Sequence, residues 1–110
     1  MRAVVQRVKS ASVTVDGEII ASTGSGLLIL VGFHCSDTHQ DSDYIITKSI
    51  NLRIFEDSGG LMNLSISDTG GEILVVSQFT LYGDARKGRR PSFSDSMPPA
   101  KAEQFYAEFI

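Results

Sequence analysis

The sequence predicts an α+β fold, and three observations point there. Residues 2–8 and 11–15 read as strands, the second with Ala11, Val13 and Val15 on one face, and a period of two marks a half-buried strand. Asp16-Gly17 supplies a turn pair suited to positive φ, and Glu18 to Ser22 returns, which makes a hairpin. Two stretches switch to a helical period: about Gln40 to Asn51, and a segment from about Ala100 that puts Ala102, Phe105, Tyr106 and Phe109 on one stripe.

The remaining elements follow in order. Gly24-Ser25-Gly26 punctuates, and Leu27 to Gly32 is an apolar run that suits a strand buried on both faces. Thr38 with Asp41 three residues on resembles a capping box, and Asp41 and Asp43 favour the first turn of the helix. Leu52 to Phe55 reads as a strand, Asp57 to Gly60 as a turn, Leu64 to Ile66 as a short strand and Asp68 to Gly71 as a second turn. Glu72 to Tyr82 is the strongest strand pattern. Val75, Ser77, Phe79 and Leu81 would face one way, and Val76, Gln78, Thr80 and Tyr82 the other. Pro98 and Pro99 suit the first turn of the last helix, with Ser96 as its candidate cap.

The 110 residues fit one domain, residues 1–110, since domains hold roughly 100–200 residues. With 42% apolar and 21% charged residues, intrinsic disorder is excluded for most of the chain. The longest apolar run, Leu27 to Val31, is too short to cross a bilayer. The first residues lack the apolar stretch of a signal peptide. The single Cys35 excludes an intrachain disulfide and a multi-cysteine zinc site, and a reducing, cytoplasmic setting fits.

Net charge is −3, unevenly spread: −5 over residues 1–85, +4 over residues 86–90 and −2 over residues 91–110. One basic loop, with Arg86, Lys87, Arg89 and Arg90, sits on an acidic body. Such a loop suits a localised polyanion, such as one end of an RNA, without general affinity for duplex. A solvated charged loop is the commoner outcome for such a run.

Chemistry is suggested where the strongest strand breaks its own apolar logic, at Ser77-Gln78-Phe79-Thr80. The hydroxyls of Ser77 and Thr80, the amide of Gln78 and nearby backbone N–H groups suit a site that stabilises an oxyanion. From the pattern alone, Ser77 and Thr80 as half-buried strand residues with satisfied hydroxyls is the slightly favoured reading. His34, Cys35, Asp37 and His39 share one short loop with no second ligand cluster elsewhere, so neither a metal nor a Cys–His dyad is expected. There is no Walker pattern, dinucleotide fingerprint or serine-hydrolase elbow.

Several stretches carry a resemblance. Met1-Arg-Ala-Val-Val-Gln-Arg-Val8, Ala11-Ser-Val-Thr-Val15, Asn51-Leu-Arg-Ile-Phe-Glu-Asp57, Ser77-Gln-Phe-Thr-Leu-Tyr-Gly-Asp84 and Arg86-Lys-Gly-Arg-Arg-Pro-Ser-Phe93 resemble the D-aminoacyl-tRNA deacylases. The resemblance implies mainly antiparallel, barrel-like β-sheets flanked by helices. It implies a cytoplasmic homodimer that hydrolyses the ester between a D-amino acid, or mischarged glycine, and the 3′ end of tRNA. No metal, organic cofactor, membrane or DNA partner is implied. Ser77, Gln78, Phe79 and Thr80 would form the catalytic pocket for the terminal adenosine and the aminoacyl carbonyl. Arg86, Lys87, Arg89 and Arg90 would hold tRNA phosphates. Thr80 as nucleophile and water attack assisted by the tRNA 2′-hydroxyl both remain open.

The family's second motif, Asn-x-Gly-Pro-x-Thr, excludes L-amino acids sterically from the partner's site, and this chain has no Gly-Pro dipeptide. The expectation is therefore a C-terminally truncated gene product, a fragment or a divergent short form, and, if active at all, a dimer with weakened chiral discrimination. The alternative is a non-catalytic module that binds the tRNA acceptor end, or an inactive truncated deacylase.

Overall fold

A computed structural model of the protein describes residues 1–84, 86 and 89–110. Seven strands and three α-helices are present among them: β1 (Arg2–Val8), β2 (Ala11–Val15), β3 (Glu18–Thr23), β4 (Gly26–Gly32), α1 (His39–Asn51), β5 (Phe55–Glu56), β6 (Met62–Leu64), α2 (Ile66–Thr69), β7 (Glu72–Ser77) and α3 (Pro99–Phe109). β4 lies between β1 and β7 in a three-stranded sheet, while β2 with β3 and β5 with β6 form antiparallel pairs. The α+β expectation holds. Contacts cluster into two compact units: Met1–Val4 with Leu30–Ile46 and Val76–Ile110, and Val5–Ile29 with Thr47–Val75.

In the second unit the hairpin forms as expected. Asp16 and Gly17 take φ of 51° and 81° at the turn, and Val15 pairs with Glu18. A register shift follows between Val13 and Thr14. Leu27 and Ile29 of β4, Ile66 and Leu74 are buried there.

Two expectations fail in this unit. The strand over Leu52 to Phe55 is confined to Phe55–Glu56. Pairing with β6 is counted back from the Asp57 turn, where Asp57 N–H donates to the Leu61 carbonyl (2.8 Å) and the Asp57 carboxylate accepts from Gly59 and Leu61 N–H. The strand over Leu64 to Ile66 ends at Leu64, because Ser65 opens α2 with a full capping box. Asp68 N–H donates to the Ser65 hydroxyl at 3.2 Å, and Ser65 N–H donates to the Asp68 carboxylate at 2.9 Å.

In the first unit Phe33 is the centre of an aromatic cluster. Its ring meets Phe105 at 5.9 Å and Phe109 at 6.5 Å, both edge-on, and all three are buried. Burying each such ring is worth about 1.5–3 kcal/mol. The stripe read from sequence on α3 therefore faces the core. His39, at the start of α1, stacks on Phe105 at 4.9 Å and pairs with Glu108 at 3.0 Å. At the start of α1 the Asp41 carboxylate accepts from the Thr38 N–H (2.8 Å) and hydroxyl (3.2 Å), the Asp half of the expected capping box. The Thr38 N–H bond pulls the Asp41 carboxyl below its ordinary range. Pro98 precedes α3 and Pro99 opens it, but Ser96 does not cap it. Residues 33–35 instead pair with residues 95–97: Met97 N–H donates to Phe33 carbonyl (3.0 Å) and Cys35 N–H to Asp95 carbonyl (2.9 Å).

β4 begins at a glycine because β7 runs against it. A Cβ at Gly26 would lie 1.8 Å from the Glu72 carbonyl oxygen and 2.8 Å from its nitrogen. Backbone atoms cannot swing away, so Gly26→Ala is expected to destabilise the protein by about 3 kcal/mol. A urea melt checks this, with the midpoint falling at unchanged m-value.

Candidate active site

β7 does not run to Tyr82. It stops at Ser77; Gln78 is still extended, and Phe79–Tyr82 forms one turn of 3₁₀ helix. Gln78 N–H donates to the Val31 carbonyl (2.8 Å), after which Leu81 N–H turns back to the Gln78 carbonyl (3.3 Å) and Gly83 N–H to the Thr80 carbonyl (3.0 Å). The alternation read from sequence is thus lost after Gln78. Gly32 in β4 lets the turn approach: a Cβ there would meet the Gln78 oxygen at 3.0 Å and the Leu81 Cβ at 3.1 Å.

The turn changes what the four polar-strand residues present. Ser77, Phe79 and Thr80 are exposed and Gln78 is half-buried, and of the four Ser77 stays in β7. Gln78 Nε2 donates to the Thr80 hydroxyl. Among the described residues no imidazole or carboxylate is hydrogen-bonded to that hydroxyl, and the N–H groups of Phe79 and Thr80 have no hydrogen-bond acceptor. Two consecutive unpaired N–H donors on an exposed turn can serve a developing oxyanion.

Beside the turn lies a cavity of about 550 Å³ whose wall includes Ser77, Phe79, Phe93, Met97, Pro98 and Tyr106. Phe79 stands edge-on to Phe93 at 5.1 Å, and the Ser96 hydroxyl donates to the Phe79 carbonyl at 3.1 Å. The cavity is lined mostly by carbon, with Ser77, Ser96, Glu103 and Tyr106 contributing polar groups, the composition of a small-molecule pocket. Phe93, Met97 and Tyr106 were missed from sequence. They reach the turn through the pairing of residues 33–35 with 95–97, which no local pattern signals.

The basic loop leaves and returns through an antiparallel bridge, with Asp84 and Ser92 exchanging N–H to carbonyl bonds of 2.7 Å each way. Arg86 is committed to Asp84: its Nε and Nη2 donate to the carboxylate at 3.0 and 2.7 Å. Arg89 and Arg90 are exposed, and no carboxylate pairs with either among the described residues. Lys87 lies outside the described residues. His34, Cys35 and Asp37 do not assemble a metal site among the described residues. Asp37 instead accepts from the Met1 ammonium (2.6 Å) and from His34 N–H (2.7 Å).

The side-chain bond from Arg86 lowers the Asp84 carboxyl to about 2. A lowered carboxyl stabilises the fold above its ordinary pKa and loses that contribution as pH falls through the lowered value. The Asp84–Arg86 pair is therefore expected to persist from neutral pH to below pH ~4 and to open only near pH ~2. A carboxyl NMR titration checks this, and in Arg86→Ala the Asp84 midpoint should rise toward the ordinary value.

The description D-Tyr-tRNA(Tyr) deacylase belongs to the family model that matches residues 4–110. A D-aminoacyl-tRNA deacylase of Clostridium botulinum is 61% identical over 110 residues, all of this chain and 74% of that protein. The D-aminoacyl-tRNA deacylase of Thermosipho melanesiensis is 57% identical over 110 residues, all of this chain and 73% of that protein. Among solved structures, the c-Myc DNA Unwinding Element Binding Protein superposes with a TM-score of 0.93 at 46% identity, over 99% of this chain and 73% of that one. A probable eukaryotic D-amino acid tRNA deacylase, 18% identical, shares the fold with a TM-score of 0.80 over 97% of this chain and 63% of its own. The match through nearly the whole chain, Ser77-Gln78-Phe79-Thr80 included, places this protein in the D-Tyr-tRNA(Tyr) deacylase family.

Proposed function

We propose that this protein hydrolyses the ester linking a D-amino acid, or mischarged glycine, to the terminal adenosine of tRNA, with residues 1–110 acting as a single deacylase domain. The observation that carries the reading is the pair of unpaired Phe79 and Thr80 N–H groups beside an apolar cavity. The adenine base occupies the cavity, and the aminoacyl carbonyl lies over the turn. Water attacks the carbonyl carbon, the oxyanion is held by the two N–H groups, and the bond to the ribose 3′ oxygen breaks as that oxygen takes a proton. The products are free amino acid and tRNA. The neighbouring hydroxyl and ammonium already activate this ester, so modest electrostatic help suffices. The working form is a cytoplasmic homodimer. Release of D-tyrosine from D-Tyr-tRNA by the purified chain tests the activity, and binding without release would instead favour the non-catalytic module.

The proton is handled by the substrate's 2′-hydroxyl rather than by Thr80, whose hydroxyl has an amide as its partner. Thr80→Ala and Thr80→Ser are therefore both expected to lower kcat by less than about tenfold, or about 1.4 kcal/mol. Single-turnover deacylation checks this, and near-total loss in Thr80→Ala alone would make Thr80 the nucleophile.

Arg86, Lys87, Arg89 and Arg90 bind tRNA phosphates in this reading, and the exposure of Arg89 and Arg90 supports it. Replacing both with Ala should weaken binding about equally across tRNA sequences. Each lost contact should remove about 0.7–0.9 from the slope of log affinity against log salt. Filter binding across a salt series measures that slope.

A further inference from the structure

Arg2 stands outside every residue set assigned so far. We propose that Arg2 is a positioning residue for the deacylation, holding the downstream end of the Phe79–Tyr82 turn so that the Phe79 and Thr80 N–H groups stay fixed relative to each other. The inference rests on reading those groups as the oxyanion donors.

Arg2 Nη1 donates to the Leu81 carbonyl at 2.8 Å, and its guanidinium carbon lies 4.5 Å from the centre of the Tyr82 ring. One planar cation thus grips two consecutive residues of the turn, by a charge-assisted hydrogen bond and a cation–π contact. The Tyr82 ring is buried, and His34 meets it edge-on at 5.3 Å. Arg2 is itself well placed. The Met1 ammonium beside it is buried against Asp37 at 2.6 Å, and the other Asp37 oxygen takes the His34 N–H.

The upstream end of the turn has its own ties, Gln78 N–H on Val31 and the Ser96 hydroxyl on the Phe79 carbonyl. Beyond Thr80 the contacts from outside the turn to Leu81 and Tyr82 include both of those made by Arg2. Oxyanion donors act within a few tenths of an ångström of one distance, so a turn anchored at one end alone aims them poorly.

The test uses Arg2→Ala and Arg2→Lys in the full chain. Steady-state deacylation of D-Tyr-tRNA is measured together with the Phe79 and Thr80 amide NMR signals, with and without a non-hydrolysable 3′-amide analogue of D-tyrosyl-adenosine. Arg2→Ala is expected to lower kcat by about tenfold with KM changed less than about twofold, the pattern of a lost transition-state interaction. Arg2→Lys, which keeps the cation but not the planar fork, should recover part of the loss. Because Arg2 is exposed, both variants should melt near the wild-type temperature.

Two results would overturn the inference while leaving the reading of the turn intact. One is a raised KM at unchanged kcat, which would make Arg2 a phosphate contact in the cleft of about 330 Å³ that it lines with Tyr82, Asp84 and Arg86. The other is wild-type kcat in Arg2→Ala with both amides still shifted by the analogue. Failure of the wild-type Phe79 and Thr80 amides to shift at all would overturn the reading of the turn, and the inference with it.

Discussion

The hydrogen bond from Gln78 N–H to the Val31 carbonyl ties the chain just beyond β7 to β4, and the candidate site is organised around it. Upstream, β7 is bound into the three-stranded sheet beside β4. Downstream, the backbone must satisfy its own groups, and it does so with a 3₁₀ turn that uses the Gln78 and Thr80 carbonyls as acceptors. A turn of this kind leaves its first N–H groups without acceptors. That the Phe79 and Thr80 donors have no acceptor among the described residues is therefore a consequence of where the pairing stops.

Other contacts make that turn a defined object. Gly32 lets it lie close to β4, and Ser96 takes the Phe79 carbonyl. The same Ser96 segment is held by pairing with residues 33–35, just past the end of β4. Phe33 in that segment also anchors α3 through Phe105 and Phe109. One short stretch thus orders the core of its unit, one wall of the cavity and the carbonyl side of the turn. A change in the packing of Phe33 would be felt at the site without touching it.

Charge is divided in a similarly economical way. The basic loop is not uniformly available to an anion. Arg86 is turned back on Asp84, which closes the loop's base and neutralises one carboxylate beside the site. Arg89 and Arg90 project without carboxylate partners among the described residues. An Arg fork on a neighbouring Asp gives geometry, and exposed guanidinium groups give a field.

Much of this was legible in the residues alone, for local reasons. The hairpin at Asp16-Gly17, the doubly buried β4, the helix that ends at Asn51 and the apolar stripe of α3 each rest on a short-range period or turn chemistry. The break at Ser77 to Thr80 was visible as polar residues where a core strand would be apolar, and one of the stretches that resemble the family begins at the same residues. Its shape was not legible. A strand and a 3₁₀ turn share the pattern Phe79-Thr80-Leu81-Tyr82, and only the end of pairing at Val31 decides between them. The strands over residues 52–55 and 64–66 failed for a related reason, since side-chain bonds from Asp57 and Ser65 fixed where pairing starts and stops. Phe93, Ser96 and Met97 carry no local signal, because they reach the turn only after residues 33–35 and 95–97 meet. By itself the sequence marked which residues to examine as a candidate site. The tertiary structure decided which N–H groups are left without an acceptor among the described residues, because a donor's availability depends on acceptors distant in the chain.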